Sequence, residues 1–191
     1  MSIVALSASP SANSRSSVLL RHVLERLDER VARVEIVLRD LPAAALVRAR
    51  VNDPLIRRAR EQVDQARLVV IATPIYKASY SGLLKTFLDL LPQDALRGKT
   101  VLALGTGGSP AHLLALDYAL RPVLAALGAR HILDSVYAVE AQFAPHAIHG
   151  HVVHDEVVER IARALADGPI ALRPPAGARD PDAHRVVALA A

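Results

Sequence analysis

The chain of 191 residues has no cysteine, no tryptophan and one methionine, and aromatic residues make up only 3% of it. Without cysteine there are no disulfides, thiolate nucleophiles, cysteine-held iron–sulfur centres or thiolate zinc sites. Any redox chemistry therefore needs an organic cofactor or a metal held without sulfur. Aromatic rings are scarce and the net charge is only +4, from arginines scattered along the chain. This argues against a nucleic-acid surface, which needs a basic stripe and stacking groups. The densest group, Arg57, Arg58 and Arg60, reads as the solvated face of a helix. No apolar run approaches the ~18 residues of a membrane span, and a strand begins near Ile3 where a leader would carry a basic segment. A cytoplasmic protein is the expectation. Also missing are G-x-x-x-x-G-K-[ST] and a G-x-G-x-x-G turn after the first strand, which disfavours nucleotide hydrolysis and a tightly held classical dinucleotide.

Aliphatic residues are plentiful, with 52% of the chain hydrophobic, enough for one domain with its own core. Continuous apolar runs at 3–7, 34–38, 68–72, 100–104 and 132–139 read as buried strands. Between them lie helical patterns at 14–31, 53–66, 82–91 and 110–127, and a last one at 155–166. Asp53-Pro54 supplies an N-cap with proline in the first turn, and Gly128 a C-terminal stop. This alternation predicts an α/β flavodoxin-like fold, a five-stranded parallel sheet of order 2-1-3-4-5 with helices on both faces. Residues 1–170 form the expected domain and 171–191, rich in proline, alanine and arginine, a flexible tail.

In such a sheet ligands sit at the carboxyl ends of the strands, where the loops after strands one, three and four meet. The first loop, residues 7–17, offers hydroxyls, free amides and an arginine at a helix N-terminus, an arrangement that favours a phosphate. Ser9, Ser14, Arg15 and Ser16 are its candidate ligands. A single terminal phosphate, as in FMN, suits this loop. The second, residues 72–86, begins at Thr73-Pro74, where the strand is expected to end, and runs through Tyr76 and Tyr80 to a helix capped by Ser81-Gly82. The third, Gly105, Thr106, Gly107, Gly108 and Ser109, lets backbone approach a planar ring while Thr106 and Ser109 reach its polar edge.

Three segments, SASPSANSRSSVLL, ATPIYKASYSGLLKTFLDLLP and LGTGGSPAHLLALDYALRPVLAALGA, closely resemble the NADPH-dependent FMN reductases of the sulfonate-utilisation type, over roughly residues 3–139. The resemblance implies that NADPH reduces FMN and that the reduced flavin passes to a separate monooxygenase that cleaves alkanesulfonates. It places the flavin phosphate on Ser9, Ser14, Arg15 and Ser16, and the isoalloxazine against Pro74, Ile75, Tyr76 and the Ser81-Gly82 turn, with residues 105–109 on its other side. Ala8 stands where such proteins often have glycine, and its methyl is expected to shift the phosphate amides. Hydride passes from nicotinamide C4 to flavin N5, so no side-chain acid or base is assigned. The protein stacks the rings and steadies charge at N1, a task that suits backbone amides near Tyr76 or Gly107.

Pro122 cannot donate to the carbonyl of Tyr118, which predicts a π-bulge there. In relatives of this type the corresponding wide turn lies at an oligomer interface beside the flavin and is associated with flavin exchange. Leu83, Phe87 and Leu116 are expected to be exposed and to support a homodimer or homotetramer. His146, His149, His151 and His154 read as part of a polar loop, and no metal is assigned. Two other readings use the same site: an FMN-retaining quinone or azo reductase, and a flavodoxin-like electron carrier without pyridine-nucleotide activity.

Overall fold

The computed structural model describes residues 2–28, 30–146 and 150–168. The first half runs β1 (Ser2–Ser7), α1 (Arg15–Arg26), β2 (Ala32–Val37), α2 (Ala43–Val47), α3 (Pro54–Gln65), β3 (Leu68–Tyr76), β4 (Ser79–Tyr80) and α4 (Gly82–Leu88). The second half runs β5 (Thr100–Gly107), a π-helical turn (Leu116–Leu120), α5 (Arg121–Ala126), β6 (His131–Ile132), β7 (Val136–Val139), β8 (Phe143–His146), β9 (Gly150–Val153) and α6 (Asp155–Ala166).

Alternate residues of the central strands face different helical layers, as a doubly covered parallel sheet requires. Val4, Leu6, Val69, Ile71, Val101 and Ala103 pack with α3, α4 and α5. Ile3, Ala5, Leu68, Val70, Leu102 and Leu104 pack with α1 and α6. The four long strands run β2-β1-β3-β5, all parallel, in the flavodoxin-like order. The fifth position differs from the single strand expected at 132–139. It is shared by β6 and β7, because the register slips by one residue between Val101 opposite Ile132 and Leu104 opposite Val136. That extra residue is a bulge, which bends the strand at the sheet edge.

Several boundaries differ from the sequence reading, each for a local reason. β3 does not stop at Thr73-Pro74 but runs on to Tyr76, pairing Pro74 with Thr106 of β5. β1 ends at Ser7 opposite Ala72, so Pro74 is flanked on one side only and its missing N–H breaks no ladder. β5 likewise continues through Gly105-Thr106-Gly107, which is strand instead of loop. Helix α1 ends at Arg26, where Leu27 turns to extended backbone and is buried. Helix α4 ends at Leu88, and Leu90 and Leu91 tighten onto the carbonyls of Phe87 and Leu88.

The single helix expected at 110–127 is a 3-10 turn at Pro110–His112, the π turn and then α5. The Arg121 N–H donates to the Leu116 carbonyl, five residues back, which accommodates Pro122. Phe87 and Leu116 are buried, not exposed; the π turn rotates Leu116 into the core and leaves Tyr118 outside. The expected polar loop around the histidines contains the antiparallel hairpin β8–β9. His149 and the tail 171–191 lie outside the described residues.

β3 folds back into β4 through a two-residue turn in which Lys77 and Ala78 have φ of 51° and 60°. Both positive values mark a type I′ hairpin, whose favoured sequence is Asn-Gly. Neither residue here is glycine. Ala78→Gly is expected to stabilise the protein by about 1 kcal/mol, raising Tm by ~3 °C in a thermal unfolding scan. Close packing limits Gly107 instead: a Cβ there would lie 2.2 Å from the hydroxyl of Tyr137. That hydroxyl donates to the Ser109 carbonyl at 2.7 Å. Gly107→Ala should lower stability by roughly 1–3 kcal/mol in urea unfolding. Adding Tyr137→Phe should restore part of the loss, because the nearest ring carbon is 3.2 Å from the new methyl.

Candidate functional site

β1 stops short while β3 and β5 continue beyond it, and the space left above its end is a cavity of about 400 Å³. Ser9, Ser14 and Arg15 line it from the first loop, Pro74, Ile75 and Tyr76 from β3, and Thr106, Gly107 and Gly108 from the end of β5. The parallel sheet therefore gathers nine of the fourteen candidate cofactor-binding residues around one space. Ser11, Asn13 and His151 line it too. Ser11 and Asn13 sit in the serine-rich loop but carry no motif of their own. His151 is far away in sequence, and only the β8–β9 pairing brings it here.

The first loop is organised as an anion cradle. Ser14 caps α1, accepting from the Ser16 amide at 3.2 Å, and its hydroxyl lies 2.7 Å from that of Ser16. Ser16 is fully buried beneath the loop and does not line the cavity. Ser9 accepts from the Ser11 amide at 3.1 Å, which turns the chain over the end of β1. Arg15 is the first residue of α1, whose first turn contains no acidic side chain. Its terminal nitrogen is paired with Glu140, while its Nε is buried and meets no acceptor among the described residues. A buried guanidinium N–H without a partner, beside a capped helix N-terminus and serine hydroxyls, matches the donor set that a phosphate monoester takes. The residues present thus fit the phosphate end of FMN.

The other candidates support the cavity from outside its lining. Ser81 is buried, donates to the Ala8 carbonyl at 2.7 Å and accepts from the Leu84 amide at 3.2 Å. Gly82 opens α4 with free space where a side chain would project. Gly105 is packed against Leu116, whose side chain would lie 3.0 Å from a Cβ. Ser109 caps the 3-10 turn through the Ala111 amide and holds Tyr137 through its carbonyl. Burial raises the Tyr137 pKa above its ordinary value, so the phenol stays a neutral donor at this contact. The methyl of Ala8 packs in the core and does not line the cavity. Its amide continues the ladder to the Ala72 carbonyl at 2.9 Å. Tyr118 stands on the surface, 78% exposed, on the π turn packed against β4.

The family model for NADPH-dependent FMN reductases matches residues 1–144. Among characterised proteins, FMN reductases (NADPH) from Pseudomonas putida and Escherichia coli are each 48% identical over 145 residues. The alignment covers 75% of this chain and 74% of the Pseudomonas protein, and 74% and 75% for the Escherichia coli one. An NADH-dependent FMN reductase from Pseudomonas putida, SfnF, is 32% identical over 169 residues, covering 85% of this chain and 88% of its own. The apo structure of an NADH:FMN oxidoreductase, EMOB, superposes with a TM-score of 0.75 at 45% identity, covering 86% of both chains. The fold, the cavity and these similarities agree, and the chain belongs to the NADPH-dependent FMN reductase family.

Proposed function

We propose that this protein draws hydride from NADPH to reduce FMN held reversibly in the cavity, and that it supplies the reduced flavin to a separate sulfonate monooxygenase. The observation that carries the reading is the unpartnered, buried Arg15 Nε beside the serine-capped start of α1, in a cavity whose far end is walled by strand backbone. Family membership and the similarity to FMN reductases support the reaction. The sulfonate partner rests on the resemblance of the three loop segments and on nothing in the cavity itself.

FMN supplies a hydride-accepting ring, and the residues bind and orient it. Ser9, Ser14 and Arg15 hold the phosphate with the first amides of α1, and Ser16 acts through Ser14 by fixing its hydroxyl. Pro74, Ile75 and Tyr76 and the paired residues Thr106, Gly107 and Gly108 stand side by side at the ends of adjacent strands and would meet the ring system as one continuous wall. The Ser81-Gly82 turn, Gly105 and Ser109 keep that wall in place. Backbone amides and the Thr106 hydroxyl can then meet the polar edge of the ring without reorganising. The reaction is placed in the cytoplasm, where reduced pyridine nucleotide is available.

Self-association is part of the proposal. Tyr76, Leu113, Leu114 and Tyr118 are all at least half exposed, and the π turn that carries Tyr118 packs beside β4. This apolar group, of which Tyr76 also lines the cavity, fits a second copy of the chain, in a homodimer or homotetramer.

NADPH oxidation, followed by the loss of nicotinamide absorbance, should depend steeply on added FMN and should stop when FMN is exhausted without oxygen. NADPH oxidation that ignores free FMN would overturn the substrate role. Tyr118→Ala is expected to hold FMN several-fold more tightly in a fluorescence titration and to shift the size-exclusion profile toward smaller species. A variant that purifies colourless with unchanged affinity and size would count against a role for the π turn in flavin exchange.

A further inference from the structure

The family model ends at residue 144, yet His151 lines the cavity. The hairpin explains how it gets there. β8 and β9 pair Phe143 with Val153 and Pro145 with His151, so these four side chains share one face of the ribbon. Phe143 and Val153 are buried in the core layer of α1 and α6, which fixes that face as the inner one. His151 lies one pleat further out, where the core gives way to the cavity. Its ring meets that of Phe143 edge-on, with centroids 6.5 Å apart and planes at 77°, and the contact limits its rotation. β9 also packs on α1, and the nearest group to a side chain built at Gly150 is Asn13 Oδ1 at 4.0 Å. The start of β9 therefore adjoins the serine-rich loop, and His151, the next residue, lines the cavity together with Asn13.

Charge at that end is in short supply. Among the described residues lining the cavity, Arg15 and His151 are the only side chains that carry or can take a positive charge. Arg15 is already shared with Glu140, so a phosphate dianion meets only part of its field. A further donor is what the arrangement needs, and an imidazole offers at least one N–H in either tautomer. Resting on the proposed FMN reading, we infer that His151 is a binding residue for the flavin phosphate, supplied by β9, which lies beyond the family's matched region. It adds a donor from β9, which packs on α1, and gives the site its preference for FMN over the same ring system without phosphate.

The test compares FMN with riboflavin, which has no phosphate, by quenching of flavin fluorescence on the full-length wild type and on His151→Ala, His151→Gln and Arg15→Ala. His151→Ala should weaken FMN binding roughly tenfold and leave riboflavin unchanged, as loss of one hydrogen bond to a charged group does. His151→Gln, which keeps a side-chain N–H donor, should recover most of the loss. If His151→Ala leaves FMN affinity intact while Arg15→Ala lowers it, the cradle stands and the role of His151 falls. If His151→Ala weakens both flavins equally, the residue only supports the hairpin, and the inference is again overturned. If Arg15→Ala also fails to separate FMN from riboflavin, the phosphate is held elsewhere and the proposed placement of FMN falls with it.

Discussion

Everything about the cavity depends on the buried hydroxyl of Ser81. It donates to the Ala8 carbonyl at 2.7 Å and accepts from the Leu84 amide at 3.2 Å, while the Ser81 amide donates to Thr73 Oγ1 at 3.0 Å. The Thr73 hydroxyl in turn donates to the Pro74 carbonyl at 3.0 Å. One residue, through its hydroxyl and its amide, thus joins the end of β1, the overrunning part of β3 and the first turn of α4. All these groups are buried, so each bond that is lost leaves a polar atom without water to replace its partner, at about 1–3 kcal/mol apiece. The linkage also carries position. The phosphate loop starts at Ser9, one residue after the carbonyl that Ser81 holds, and the ring wall starts at Pro74, one residue after Thr73.

With that knot in place, the shape of the site follows from unequal strand lengths. β1 ends opposite Ala72, whereas β3 and β5 stay paired to Pro74 and Thr106. The switch point of a doubly wound sheet is the natural place for a crevice, and here the overrun gives it a floor and one long wall. Pro74 is suited to that wall because it has no N–H to leave unpaired where its neighbour has stopped. The I′ turn at Lys77-Ala78 then reverses the chain within two residues, so β4 can lead directly into Ser81. Two non-glycine residues held at positive φ cost stability. The bonds around Ser81 and the pairing of β3 with β5 offset that cost.

Much of this was legible in the chain because the relevant signals are local. Asp53-Pro54 opens α3 with Asp53 accepting from the Leu55 amide at 3.0 Å, and Pro122 forces a wide turn at Tyr118 as its missing N–H requires. The serine-rich loop, Pro74 to Tyr76 and Thr106 to Gly108 all come to one cavity. What stayed hidden depended on partners distant in sequence. Thr73-Pro74 reads as a strand end until the early stop of β1 is known, and Gly105 to Gly107 reads as a loop until β3 is seen beside it. Leu116 looks like surface under a regular helical period and is buried only because the π turn advances the phase. His151 sits in a histidine-rich segment that suggests a polar loop, and only the register opposite Pro145 turns it inward.

The pairing of Arg15 with Glu140 bears on how firmly such a site should hold its flavin. A carboxylate beside a guanidinium lowers the field that a phosphate feels, yet it also holds the group in place, while the buried Nε has its hydrogen bond still to be made. Beside the inferred His151 donor, the remaining donors are neutral hydroxyls and helix amides, which cost little to rehydrate when a phosphate leaves. A cavity built this way binds by shape and partial charges more than by a ring of cations. Reversible binding is what such a donor set favours, in keeping with the proposal that flavin arrives oxidised and departs reduced. The placement of Tyr76 fits the same logic: it is 52% exposed at the rim, so the ring wall it forms adjoins solvent and the apolar surface around Tyr118. A second copy of the chain seated there would change how easily flavin leaves without altering any residue of the phosphate cradle.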